Sequence, residues 1–178
     1  MLKRHPHTPA HLFIDDTSYF ITSAIYNKRH LLVHSELKNQ LLTIIQESFE
    51  LFNWKLDDWV ILDNHYHVIG MSRKGTDLSK IMGRIHSHSA TLIRQVTHCE
   101  LPVWWNYWDY CPSHEKDYFT RLNYLLMNPI KHGYVDNLND YPFSSFSRLF
   151  NEVGRETCVK QFQTYPEYKQ LVIEEDDL

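Results

Sequence analysis

The segment Asn64-His65-Tyr66-His67-Val68-Ile69-Gly70 sets two imidazoles on either side of one bulky residue, within a run that reads as a β-strand. Side chains alternate across a strand, so His65 and His67 share one face and Tyr66 takes the other. Two imidazoles on one face are half of a divalent-metal site. A His-x-His pair also occurs in structural roles, with its rings hydrogen-bonded at a sheet surface, and a third ligand decides between the two. Further along, Tyr124-Leu125-Leu126-Met127-Asn128 places a tyrosine and an asparagine one helical turn apart. A metal pair on a strand and a tyrosine on a helix together suit phosphodiester chemistry with a tyrosine nucleophile.

The helical wheel tells more about Tyr124. Asp117, Thr120, Arg121, Asn128 and Lys131 all fall within roughly 60° of it, whereas Leu122, Leu125, Leu126 and Ile130 cluster away from it. Asn128 can offer its carbonyl oxygen to a metal ion. Pro129 is expected to end the helix, because it has no N–H to donate. On the wheel alone, Tyr124 reads either as a nucleophile or as an exposed tyrosine beside a helix-terminating Asn-Pro. Two other His-x-His pairs fit a metal less well. His86 and His88 are expected in a helix, roughly 200° apart, and His5 and His7 read as part of a loop with no supporting frame.

These groups need a frame. Tyr19–Tyr26, Trp54–Leu62, the histidine run to Met71, and Val103–Tyr110 read as four strands. Asp63-Asn64 is expected to form a two-residue hairpin turn, since both residues tolerate left-handed angles. Ser35 can cap a first helix carrying Leu37, Leu41, Ile45 and Phe49. A second helix begins at Thr76 or Asp77, with Leu78, Ile81, Ile85, Leu92 and Val96 as its apolar stripe. On its other side Lys80, Arg84 and His88 form a basic line, either a solvated face or a phosphate track. Ser113 can cap the third helix, which contains Tyr124. This order predicts an α+β fold: a ferredoxin-like four-stranded antiparallel sheet with packed helices. Residues 1–14 read as an arm, 15–133 as the catalytic domain, and 134–178 as an extension with a short helix and an acidic tail.

Composition sets outer bounds. The chain has 178 residues, 43% hydrophobic and 22% charged, as expected of an ordinary globular domain. Aromatic residues make up 14%, enough for both core and base stacking. No apolar run approaches a membrane span and no signal-peptide pattern opens the chain, so a cytoplasmic location is expected. Three scattered cysteines with no C-x-x-C argue against a disulfide framework or a zinc ribbon. The net charge is −4, but Glu174, Glu175, Asp176 and Asp177 account for all of it. Any attraction to phosphate must come from local cations and from histidines, His86, His88 and His132 among them, that gain charge below about pH 6.5.

The combination of Trp59-Val60-Ile61-Leu62-Asp63-Asn64-His65-Tyr66-His67 with Tyr124-x-x-x-Asn128-Pro129 resembles the single-tyrosine HUH transposases of the IS200-like superfamily, in particular the REP-associated branch. Tyr19-Phe20-Ile21-Thr22, Leu78–Ser87, Val103–Tyr110, Asn128–Gly133 and Tyr141–Ser145 carry the resemblance along about residues 15 to 150. Two positions depart from the family pattern. Asp63 stands where Pro is common, and His86 stands where Lys is common.

The resemblance implies an HUH endonuclease fold and a DNA transposase. Such an enzyme cuts and rejoins hairpin-bearing, REP-like single-stranded DNA through a 5′-phosphotyrosine. Tyr124 would be the nucleophile, and His65, His67 and Asn128 would hold Mg²⁺ or Mn²⁺. Lys80, Arg84, Arg94, Arg121 and Lys131 are candidate DNA contacts from the residue pattern, joined by the aromatic fourth strand. The wider superfamily shares the tyrosine helix between two subunits, whereas this branch implies a monomer acting in cis. The short Cys111-Pro112-Ser113 connection also favours docking of the helix on its own sheet. A non-catalytic DNA-binding protein and a metal hydrolase that activates water are the alternatives.

Overall fold

The computed structural model describes residue 11 and residues 13–173. The arm expected at residues 1–14 lies mostly outside these residues, and the acidic tail at 174–178 wholly outside. Four strands, β1 (Ser18–Ile25), β2 (Lys55–Ile61), β3 (His65–Met71) and β4 (Trp104–Tyr110), form one antiparallel sheet in the order β2-β3-β1-β4. Helices α1 (Ser35–Leu51) and α2 (Leu78–Thr97) separate the strands in the expected ferredoxin-like order. Helix α3 (Glu115–Lys131) follows β4, and α4 (Phe146–Val153) and α5 (Arg155–Thr164) come after it, with a short 3-10 helix at Pro166–Gln170.

Strand alternation divides the molecule into two cores. Tyr19, Ile21, Tyr66 and Val68 face α1 and α2, meeting Leu41, Ile45, Ile81 and Ile85. Phe20, Val60 and Ile69 face the other way, onto Leu122, Tyr124, Leu125 and Leu126 of α3. The extension closes over α3 with Leu138, Tyr141 and Phe146. It also covers the β2 edge, where Ile61 N–H donates to the Phe143 carbonyl at 2.9 Å and Ser145 N–H to the Trp59 carbonyl at 2.9 Å. An open sheet edge with unpaired backbone groups is thereby removed on that side. Among the described residues, no helix is long and apolar enough to cross a membrane.

Local expectations were corrected in several places. Helix α3 runs through Pro129 to Lys131. Proline removes only one donor, and a single turn remains after it. That turn is closed by His132 N–H to the Asn128 carbonyl and Tyr134 N–H to the Pro129 carbonyl, with Gly133 at φ +72°. The N-cap of α3 is His114, whose Nδ1 accepts from Asp117 N–H, and not Ser113. The β2–β3 turn does use Asp63-Asn64, with Leu62 N–H bonded to the His65 carbonyl, but neither residue takes a positive φ. In α2 the buried stripe continues through Met82, Ser89 and Ile93, leaving Val96 exposed. Among its described residues the extension carries two α-helices in place of one.

His86 reverses an electrostatic expectation. It points inward, with Nε2 2.6 Å from Ser23 Oγ and its ring stacked 5.0 Å from Trp104. Desolvation lowers its pKa to about 4, so it brings no positive charge to DNA near neutral pH. Between pH 4 and 6.5 the native state binds fewer protons here than the unfolded chain does. Stability is therefore lost as pH falls through that window. The loss should reach up to about 2 kcal/mol between pH 7.5 and 5, and His86→Gln should remove it. Urea unfolding at both pH values checks this, and an unchanged pH slope in the variant would contradict it.

Gly70 closes the histidine strand and lets α1 approach. A Cβ at this position would lie 2.4 Å from Phe49 Cε1 and 2.9 Å from the Lys55 carbonyl oxygen. Phe49 is itself buried in the core. Gly70→Ala should cost about 1–3 kcal/mol through overpacking. A denaturation midpoint equal to that of the unchanged protein would show that the contact relaxes freely.

Candidate active site

β3 delivers both histidines to the α3 side of the sheet, as alternation requires, and Tyr66 packs on the opposite side against Trp104 at 5.4 Å. The histidine face is covered by α3: His67 is fully buried and His65 is 8% exposed. The two rings lie 5.0 Å apart, centre to centre. Each is held from behind. His67 Nδ1 is 2.7 Å from Thr22 Oγ1, its register partner on β1. His65 Nδ1 is 2.7 Å from Asn64 Oδ1.

The face of α3 that carries Tyr124 meets these rings. Tyr124 is 2% exposed and Asn128 is fully enclosed, so neither is a solvent-facing residue. The Tyr124 ring stands edge-on to His67 at 5.5 Å and to Phe20 at 6.3 Å. Lys131 Nζ donates to the Tyr124 hydroxyl at 3.0 Å. Asn128 Nδ2 donates to the Tyr124 carbonyl at 3.3 Å, which turns Oδ1 towards His65 Nε2 at 3.2 Å. His132, one residue past α3, brings a third ring within 5.2 Å of His65.

The donor set suits a divalent cation on two observations. First, His67 Nε2 is buried and makes no hydrogen bond of good geometry, with the Asn128 side chain only loosely engaged. Desolvation, then the neighbouring His65, His132 and Lys131, hold the His67 pKa well below its ordinary value, with the Asn128 amide opposing weakly. The ring is therefore neutral and keeps a lone pair for a ligand. Second, His65 faces an amide oxygen at each nitrogen, Asn64 Oδ1 and Asn128 Oδ1. A neutral ring donates to only one of them, so the other contact sets lone pair against lone pair. A cation at that point, a second proton or a metal ion, relieves it. Among the described residues no three His, Cys, Asp or Glu form a metal cluster, and the Asn128 amide oxygen is available beside the two rings.

The other candidate residues separate by face. Lys131 reaches Tyr124. Arg121 lies on the same helix, its guanidinium 3.4 Å above the Tyr110 ring centre and paired with Asp117 at 3.4 Å. Lys80, Arg84 and Arg94 belong to α2, behind the sheet. Lys80 pairs with Asp77 at 2.8 Å and Arg84 approaches Glu47 at 4.0 Å. Sequence reasoning named His132 only as a source of positive charge, and did not place Thr22 or Phe20 at the site. Strand pairing could have supplied Thr22, because the β1–β3 register sets it opposite His67.

Similarity to known proteins agrees with this layout. A REP-associated tyrosine transposase of Escherichia coli K12 is 29% identical over 139 residues, covering 76% of this chain and 80% of that protein. A solved structure of a REP-associated tyrosine transposase bound to a REP hairpin superposes with a TM-score of 0.67 at 25% identity, covering 79% of this chain and 83% of that one. Residues 16–115 match the family described as Transposase IS200 like, and the chain belongs to that family of transposases.

Proposed function

We propose that this transposase cleaves and rejoins single-stranded DNA bearing REP-like hairpins, through a covalent 5′-phosphotyrosine at Tyr124. The observation that carries the reading is the meeting of Tyr124, Lys131 and Asn128 on α3 with His65 and His67 on β3 of the same chain. The hairpin is the partner of the solved relative, and the shared family and fold support the same class of DNA here.

The Tyr124 oxygen attacks the scissile phosphorus, and the bond from phosphorus to the 3′ oxygen breaks. The proton lost by tyrosine ends on the departing 3′-OH. Attack by a 3′-OH on the phosphotyrosine reverses the exchange, which conserves the ester bond and needs no nucleotide cofactor. Tyrosine's ordinary pKa is near 10, so the phenolate needs help. The Lys131 ammonium, 3.0 Å from the hydroxyl, stabilises it. His65, His67 and Asn128 would hold Mg²⁺ or Mn²⁺, which supplies Lewis-acid polarisation of the phosphate when bound. Thr22 and Asn64 keep the two rings in place.

DNA contacts follow from what is exposed. Trp105 is 45% exposed on the β4 edge and lies beside Tyr26 at 5.3 Å, with Lys28 in the same cleft. Such a surface suits stacking of an unpaired base next to a phosphate. Arg121 and Lys131 lie on the site's own side of the sheet. The α2 cations Lys80, Arg84 and Arg94 would meet a different part of the hairpin.

In Mn²⁺ with a labelled hairpin oligonucleotide, the protein should give a denaturation-resistant adduct. Tyr124→Phe should abolish the adduct and change hairpin affinity by no more than about fivefold, the worth of one hydrogen bond of about 1 kcal/mol. Free phosphate ends without an adduct would favour the hydrolase, and binding without cleavage the non-catalytic alternative. An adduct mapped to another tyrosine would overturn the assignment.

A further inference from the structure

We propose that Lys38 is a positioning residue for this site: a buried cation that pins the β2–β3 turn to the end of α3. The inference rests on the reading of His65, His67 and Asn128 given above. Lys38 belongs to the first turns of α1, the helix on the far face of the sheet, yet it is only 4% exposed. A lysine is almost never buried so fully unless it is paired.

Its ammonium has partners from two parts of the chain, the β2–β3 turn and the segment that follows α3. Lys38 Nζ donates to Asp63 Oδ1 at 2.7 Å and to the Tyr141 hydroxyl at 3.3 Å. The rings of Tyr134, Tyr141 and Phe143 surround it at 5.6, 5.6 and 4.9 Å. Aromatic faces attract a desolvated cation, and a carboxylate supplies the counter-charge. Asp63 immediately precedes Asn64-His65. All three rings come from the segment that follows α3.

Further bonds carry the pin to the site on both sides. On the strand side, Tyr141 Oη donates to the Ile61 carbonyl at 2.7 Å, and Leu32 N–H donates to the Asp63 carbonyl at 2.8 Å. On the helix side, Asp63 N–H donates to Tyr134 Oη at 3.3 Å, and Tyr134 N–H donates to the Pro129 carbonyl at 2.9 Å. Pro129 adjoins Asn128, and Asp63 lies two residues before His65. Lys38 therefore governs the distance across which His65 Nε2 and Asn128 Oδ1 face each other, 3.2 Å. The same contacts account for Asp63 at a position where proline would only rigidify the turn: an aspartate there can hold a cation.

The test compares the unchanged protein with Lys38→Met, which keeps the stem and removes the charge, and with Lys38→Arg. Asp63→Asn serves as a second variant if Lys38→Met does not fold. Hydrogen exchange reads local opening, and electron paramagnetic resonance of free Mn²⁺ reads metal affinity. Lys38→Met should speed exchange in segments 62–67 and 128–134 together, well beyond the rest of the chain. It should weaken Mn²⁺ binding by about tenfold or more, as loss of outer support for metal ligands does. Lys38→Arg should restore part of both, because it keeps the charge but not the compact ammonium. Asp63→Asn should loosen the same two segments to a smaller extent. Loosening spread evenly over the chain, confined to one segment, or absent would overturn the proposal. If the unchanged protein bound no Mn²⁺, the metal reading would fall, while the exchange result would still decide whether Lys38 couples the two segments.

Discussion

The packing of one polar helix face against one polar sheet face is the constraint on which the site depends. A buried polar group without a partner costs about 1–3 kcal/mol, and α3 buries Tyr124 and Asn128 together. Each is answered locally. Lys131 takes the Tyr124 hydroxyl, the Tyr124 carbonyl takes the Asn128 amide, and His65 meets the Asn128 oxygen. The apolar residues Leu122, Leu125 and Leu126 on the same helix then need a cover of their own, which Leu138, Tyr141 and Phe146 provide. The extension is thus tied to the site by the geometry of α3. It also masks the β2 edge and surrounds the Lys38 ammonium, so a single segment closes the sheet, the helix and the turn before His65.

Charge is arranged unevenly around this centre. His67 and His86 are both held neutral by desolvation, although the chain is rich in histidine. The cations closest to Tyr124 and Phe20 are Lys131 and Arg121. Asp58, beneath the extension, has its pKa raised to about 6, chiefly by desolvation and against the pull of Ser145 and Arg148. Its carboxylate is therefore costly to keep charged in the fold. Its bonds to Ser145 Oγ at 2.7 Å and Arg148 at 3.2 Å return part of that by holding α4 to β2.

Much of this was legible in the chain because it is local. Alternation alone puts His65 and His67 on one face and Tyr66 on the other. The 3.6-residue period alone groups Tyr124 with Asn128 and Lys131. The order of strands and helices is enough to give the sheet. A wheel shows which residues share a face but not what covers that face, so the burial of Tyr124 could not be read from it. Thr22 acts on His67 through a strand pairing 45 residues away in sequence. Lys38 reads as an ordinary surface lysine until Tyr141, 103 residues on, folds over it. The basic line on α2 follows the helical period correctly, yet tertiary packing sets it behind the sheet from the site. His86 misleads for a similar reason, since its partner Ser23 lies 63 residues away.

The Tyr124 ring and the His67 ring stand 5.5 Å apart within one chain. We propose that a site assembled in this way is complete in each molecule and acts in cis. Mixing Tyr124→Phe protein with protein carrying both His65→Ala and His67→Ala measures this directly, because each variant lacks a different half of the site. Two such molecules cannot repair each other if every chain uses its own tyrosine with its own histidines, so the mixture should cleave hairpin DNA no better than either variant alone. Cleavage recovered in the mixture would mean that α3 of one chain serves the histidines of another, and would contradict the account.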